Sequence, residues 1–368
     1  MPLVDLRSDL LAGPTPEMIE AMIATARAPS SYGAREDRHV PELEALTAQT
    51  LGTEDALFFP TCTMANQAAL MVHCRPGDII IADAESHVAE FEAASTAGIS
   101  NVAVLRVTGT HGHLSPAQLA QLLDQNEGEA MRISMVSLEN THNRAGGTVM
   151  PEGWQQQIEK ECRARGIAIH LDGARLWNAA AYAKCEPLAL AKGADSVAVS
   201  LNKALGAPLG AMLCGSKAFI RDASRVRRML GGNWRPAGIV AAPALIALKT
   251  MRQRIVDDHA NARHLGTMLA SEHSWLSIDL DSLQTNIVLL KLRTKQMNAS
   301  SLTKRLAEMG VLVVSYGDRY VRLAVYSGIG QDQIDEVLTA FSQISRSLTA
   351  DYFAGSRDDR KANHRRIS

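Results

Sequence analysis

The sequence predicts an α/β protein in which a large, mostly parallel sheet is sandwiched by helices and a smaller α+β domain follows. Three observations carry that expectation. Short apolar runs recur at Ile79–Ile81, Val102–Val107, Ile133–Leu138, Ile167–Leu171, Val197–Leu201 and Met212–Cys214. They are nearly continuous rather than alternating, as expected of strands buried on both faces. Helical patterns separate them, and such alternation argues for a parallel sheet. After about Met251 the rhythm changes to a long polar helix and then a mixture of short strands and helices.

Helix starts are legible. Thr15 then Pro16 reads as an N-cap followed by a proline at the first helical position, with Met18/Met22 and Ile19/Ile23 as the apolar face. Ser115 then Pro116 repeats the device, with Leu119, Leu122 and Leu123 turned inward. The later part predicts a strand over Asn286–Leu292, a helix near Ser301–Met309 and strands over Val311–Tyr316 and Tyr320–Tyr326. A closing helix carries Ile334, Val337, Leu338, Phe341 and Ile344 at helical spacing. The expected boundaries are an N-terminal arm over 1–14, a large domain over 15–250, a small domain over 251–349 and a flexible tail over 350–368. That tail is charged and poor in apolar residues.

Bulk properties narrow the function classes. The 368 residues suit two domains; 46% are hydrophobic and 21% charged, as in a soluble globular protein. A net charge of -1 gives no reason to expect nucleic acid or a membrane surface as partner. The start, MPLVDLRSDLLAG, lacks a signal-peptide pattern, and no apolar run is long enough for a bilayer. The five cysteines form no C-x-x-C pair, so reduced thiols in a cytoplasm fit better than disulfides or a metal site.

The chemistry starts at IAIHLDGARLWNA, where a buried strand ends in Asp172. A carboxylate is costly to bury without a cationic partner. In VAVSLNKALGAPLGAMLCG a second apolar strand ends near Ser200 and is followed by Lys203 and a glycine-punctuated turn. Ligands of open α/β sheets bind at the carboxyl ends of strands, and the separation of the two residues suits one helix between two strands. Each residue alone also reads as an ordinary surface group. Together they suggest pyridoxal phosphate: the lysine forms an imine with the aldehyde, and the aspartate pairs with the protonated ring nitrogen.

Other candidates are weaker taken singly. In FFPTCTMANQAALMVH, the first-turn amides of Cys62, Thr63 and Met64 form an anion site suited to a phosphate, though capping threonines are common. His87 follows a strand and could stack on a pyridine ring, or cap a helix. His142, before a glycine pair, could transfer a proton or be a loop histidine. Arg175, Arg235 and Arg322 are candidate carboxylate clamps; Arg322 also reads as an outward-facing strand arginine.

Several segments together carry a resemblance: DLRSD at Asp5–Asp9, PTPEM at Pro14–Met18, TMANQAAL at Thr63–Leu70, ENTHNRAGG at Glu139–Gly147, HLDGARLWNAA at His170–Ala180, RRMLGGNWRPAGI at Arg227–Ile239 and TNIV at Thr285–Val288. With the lysine segment Leu201–Gly210 they occur in the order seen in the threonine aldolase family, which the chain resembles to about Thr349. The resemblance implies the aspartate-aminotransferase-like fold (fold type I) with a seven-stranded sheet. It implies Lys203 as the cofactor lysine, Asp172 at the ring nitrogen, His87 stacked on the ring, and Thr63 with its neighbouring amides on the phosphate. Ser8, Arg175 and Arg322 would clamp the substrate carboxylate, His142 would sit near the substrate hydroxyl, and Arg235 would reach a site across a subunit interface. The implied protein is a homodimer or homotetramer that splits a β-hydroxy-α-amino acid, threonine or allo-threonine among them, into glycine and an aldehyde.

Departures cluster around the substrate. Leu10-Leu11-Ala12-Gly13 replaces a Thr-Val-Thr run, the Ala34–Glu42 stretch is longer than usual, Cys62 replaces a glycine, and Ala324-Val325-Tyr326-Ser327 replaces Val-Thr-His at the end of the small-domain strand. Asn202 precedes the lysine in place of the common serine. Another reaction on the same scaffold (β-elimination, racemisation or transamination) is the competing expectation, and a non-catalytic binding protein the third.

Overall fold

The structure is a computed structural model that describes residues 3–28, 37–126, 128 and 132–364, with side chains as far as Leu348. It has two compact units, Leu10–Asp257 and Met1–Asp9 with Asp258–Ser368. The sequence sets the first fourteen residues apart as an arm. Instead, β1 (Val4–Asp5) pairs in parallel with β11 (Val311–Leu312) inside the smaller unit. Backbone pairing with a segment some three hundred residues away is invisible to local pattern.

The larger unit holds β2 (Asp55–Phe59), β3 (Ile79–Asp83), β4 (Ala103–Val107), β5 (Ile133–Glu139), β6 (Ala168–Gly173), β7 (Ser196–Ser200) and β8 (Ala211–Gly215). They form one seven-stranded sheet in the order β2-β8-β7-β6-β5-β3-β4. β8 runs antiparallel to both its neighbours; the other pairs are parallel. The near-continuous apolar runs are the central strands, and β7 is buried along its whole length. β4, at an edge, is the most exposed. β2 was not evident in the sequence, because its short apolar stretch runs straight into a helix start.

Helices α1 (Pro16–Arg27), α2 (His39–Leu51) and α3 (Cys62–His73) begin this unit. Thr15 caps α1 by accepting from the Met18 amide, and Ser115 forms a full capping box with Gln118 on the Pro116–Gln125 helix. The α1 face is narrower than its sequence suggests: Met18 is buried, but Ile19 and Ile23 are 45% and 46% exposed. Within the atypical Ala34–Glu42 stretch, residues 34–36 lie outside the described ones, and His39–Glu42 form the first turn of α2. Two short helices, Leu176–Ala183 and Pro187–Ala191, link β6 to β7 where one was expected.

The smaller unit contains β9 (Leu276–Ile278), β10 (Ile287–Leu292), β12 (Val314–Tyr316) and β13 (Tyr320–Ala324) in an antiparallel sheet ordered β12-β13-β10-β9. The single strand expected over Val311–Tyr316 is therefore two, β11 and β12, which join different sheets. The closing helix, Gln331–His364, buries Ile334, Val337, Phe341 and Ile344, and its backbone continues through the segment whose composition suggests a tail. No described helix is long and apolar enough to cross a membrane.

The turn from β7 to β8 carries Lys203. It is closed by Leu201 N donating to Gly210 O at 3.0 Å and Gly206 N to Lys203 O at 2.9 Å. Gly210 has φ +121°, and a Cβ there would lie 2.5 Å from the Phe58 ring. Gly210→Ala should therefore lower stability by about 1–3 kcal/mol in urea unfolding; an unchanged midpoint would show that the turn relaxes.

Candidate active site

The carboxyl ends of β3, β5, β6 and β7 share one edge of the large sheet. A cavity of about 270 Å³ opens there, lined among others by His87, Glu139, Thr141, Asp172, Arg175 and Lys203. Sequence position explains the convergence. Each of these side chains lies at the end of a parallel strand or in the loop that follows it.

Asp172 is 4% exposed and sits opposite Glu139 in the strand register. Asn66 of α3 donates to Asp172 Oδ2 at 2.8 Å and to Glu92 Oε1 at 3.0 Å, and the Ala174 amide donates to Asp172 Oδ1 at 3.0 Å. Both hydrogens of the Asn66 amide then face carboxylates, so Asn66 Oδ1 must accept. The reverse orientation would set an oxygen against two acids. His170 Nε2, 3.1 Å away, is therefore the donor, and His170 Nδ1 accepts from the Ser196 hydroxyl at 2.8 Å. The Ser196 oxygen in turn accepts from His73 Nε2 at 2.8 Å. Burial holds both histidines near a pKa of about 4, so both are neutral at pH 7.

A second cluster orders His87. Its Nδ1 lies 2.7 Å from Glu92 Oε1, and its backbone amide donates to Glu139 Oε2 at 2.6 Å. Gln67 donates to the other Glu92 oxygen at 2.8 Å. Burial disfavours the imidazolium, but the bond to Glu92 and the charges of Asp172, Glu92 and Glu139 outweigh it and raise the His87 pKa. Ligand atoms of His87, Glu92 and Asp172 approach within 4.8 Å of one another. Asn66 already bridges Glu92 and Asp172, and the imidazole is bonded to Glu92.

The start of α3 forms another wall. Thr61 is its N-cap and accepts from the Met64 amide at 3.1 Å. Of the three amides expected to bind an anion, that of Met64 is therefore taken by the cap. Those of Cys62 and Thr63 remain at the helix start. Cys62 occupies the first helical position with its Sγ 4.0 Å from Asp172 Oδ1. Burial and the Asp172 charge push its thiol well above the ordinary range, which leaves the amide as its useful group.

Lys203 and Arg175 both line the cavity. Arg175 is 5% exposed and donates to Asn143 Oδ1 at 3.2 Å. His142, expected near the substrate, is not brought in. It is fully buried, its Nδ1 accepts from the Ala145 amide at 3.2 Å, and its Nε2 lies 3.1 Å from Asp83 Oδ1. The glycine pair after it turns the loop back, with Gly147 N donating to His142 O at 2.8 Å. Arg235 is exposed and outside the cavity lining. Ser8 and Arg322 belong to the smaller unit. Ser8 is half-buried. Arg322 is 8% exposed, donates to Arg7 O at 2.6 Å and lies over the Tyr316 ring, so it is not the outward-facing strand arginine that its sequence also allowed.

Asn66, Glu92, Glu139, Thr141 and Asn143 were not singled out from sequence. TMANQAAL and ENTHN contain four of them, but nothing local says that Asn66 meets Asp172 across 106 positions.

The beta-eliminating lyase family model matches residues 5–295. A low specificity L-threonine aldolase of Escherichia coli (strain K12) is 32% identical over 336 residues, covering 91% of this chain and 97% of that protein. Among solved structures, a Leishmania major threonine aldolase superposes with a TM-score of 0.80 at 18% identity, covering 93% and 99% of the two chains. A serine palmitoyltransferase from S. paucimobilis, solved with PLP–myriocin, gives 0.74 at 19%, covering 95% and 88%.

Because His73 and His170 stay neutral down to about pH 4 in the fold, while unfolded histidine titrates near pH 6.5, their contribution to stability has a fixed sign. It is full above about pH 6.5 and is lost as pH falls towards 4, where the unfolded chain binds more protons. Urea unfolding across that range should show this loss, and His170→Gln should make it shallower. An identical pH slope in the variant would contradict the assignment. Asn66→Leu, which strips donors from two buried carboxylates, should cost about 2–5 kcal/mol by the same measurement.

Proposed function

The chain belongs to the beta-eliminating lyase family and is a pyridoxal-phosphate lyase of the threonine aldolase type; on that premise we propose that it cleaves β-hydroxy-α-amino acids to glycine and an aldehyde. The observation that carries this reading is the pairing of Asp172 and Lys203 at neighbouring strand ends of one cavity, with Arg175 beside them. The residues fit the cofactor. Three carboxylates (Asp172, Glu92 and Glu139) crowd the site and suit a cationic ring, and two helix-start amides suit its phosphate.

Pyridoxal phosphate, when bound, supplies an electron sink for the charge left on the α-carbon. The chain's own residues do the rest. Lys203 would provide the amine that holds the cofactor. Asp172, fixed by Asn66, would hold the ring nitrogen. Cys62 N and Thr63 N take the phosphate. His87 covers the ring, its Nδ1 proton tied to Glu92. Arg175 would clamp the substrate carboxylate as a fork and so orient the α-carbon. His142 orders the 142–148 loop through Ala145 N and Asp83 rather than accepting the hydroxyl proton directly. His87 lines the cavity with a raised pKa, and its Nε2 would be the group that moves a proton. Arg235, exposed on the large unit, is assigned to the site of a neighbouring copy in a homo-oligomer.

Two observations favour a second reading, another reaction at the α- or β-carbon. His142 is withdrawn from the cavity, and Leu10, from the segment that departs from the family pattern, lines its wall. Incubation of cofactor-loaded protein with a panel of β-hydroxy-α-amino acids decides between them. Glycine and aldehyde in equal amounts support aldol cleavage; an α-keto acid with ammonia, or a racemised amino acid, rejects it. Lys203→Ala should lower turnover by at least about 10³-fold. Arg175→Ala should raise KM by roughly 30-fold or more, about 2 kcal/mol of lost charge-assisted contact. An unchanged KM would place the substrate carboxylate elsewhere.

A further inference from the structure

One hydroxyl in the cavity wall, that of Thr141, serves none of the cofactor or substrate contacts proposed for the site. Thr141 is 2% exposed, lines the cavity, and its Oγ1 has no hydrogen-bond partner among the described residues. A buried polar group left unpaired is costly, and native folds retain few. Its neighbours do not meet that need. Both Glu139 oxygens already accept amide protons, from His87 and Asn143, and Asn143 Oδ1 accepts from Arg175. The partner is therefore to be sought in what fills the cavity.

Sheet order identifies the partner. In pyridoxal the ring nitrogen and the aldehyde-bearing carbon are para to each other. Fixing them at Asp172 and Lys203 leaves two ring edges, one bearing the phosphate arm and the other the 3-oxygen. The phosphate edge belongs with the start of α3, which follows β2 on one side of β6. The opposite edge then faces β5, and Thr141 stands two residues beyond the end of that strand. We infer that the Thr141 hydroxyl donates to the 3-oxygen of the cofactor ring. That oxygen is an anion beside a cationic nitrogen, so a neutral hydroxyl donor suits it and a carboxylate does not. The inference rests on the cofactor assignment and not on the substrate.

The test compares Thr141→Val, of nearly the same shape, with Thr141→Ser, which keeps the hydroxyl. The expected result for Thr141→Val is about tenfold weaker binding of pyridoxal phosphate. The pH midpoint of the bound cofactor's visible absorption should also move up, because a donor to the 3-oxygen has been lost. Thr141→Ser should restore both readings. The melting temperature of cofactor-free protein should be unchanged or higher in Thr141→Val, since an unpaired hydroxyl is removed. Unchanged cofactor affinity and absorption with a raised KM for the amino acid would overturn the inference and turn the hydroxyl towards substrate. A lower apo melting temperature with unchanged cofactor binding would overturn it in favour of a structural role. A parent protein that takes up no pyridoxal phosphate would instead sink the cofactor assignment itself.

Discussion

The site depends on holding one carboxylate still inside the fold. Asp172 ends a buried strand, where an unpaired charge would be expensive. Asn66 supports it, and the bond directions follow without a choice. Its two amide hydrogens serve Asp172 and Glu92, so its oxygen must accept from His170, and Ser196 and His73 take the places left to them. Residues of α3, β6 and β7 thus combine to orient one acid. A neutral substitute for Asp172 would leave Asn66 and the chain behind it misdirected.

The same constraint explains why function gathers at one edge of the sheet. Parallel strands place their carboxyl ends side by side, about 4.8 Å apart. Polar side chains that would be intolerable along β5, β6 or β7 become tolerable one or two residues past their ends. Glu139 and Asp172 are direct register partners. Lys203 follows β7 on a turn that Gly206 and Gly210 close. The reversal into β8 keeps the amine next to the cavity instead of carrying it into a helix.

Much of this was legible in the sequence. The buried strands announced themselves as continuous apolar runs, and Thr15 and Ser115 marked helix starts by capping chemistry that needs only three residues. Asp172 and Lys203 stood out because charge at the end of an apolar strand is improbable unless used. Features set by distant partners were not legible. β1 is defined by β11, β2 by β8, and the importance of Asn66 and Glu92 by contacts made through the fold. His142 shows the opposite case. Its motif was visible, but whether a loop histidine faces a cleft or the core depends on Asp83, 59 positions earlier in the chain, and on the turn after it.

Reductive trapping tests the central claim most directly. Protein incubated with pyridoxal phosphate is treated with borohydride, digested, and its peptides weighed to find the reduced cofactor. The account predicts one modified peptide, carrying the label on Lys203, and a markedly smaller yield when Asn66 is replaced by leucine. Label on another lysine, or none at all, would contradict it.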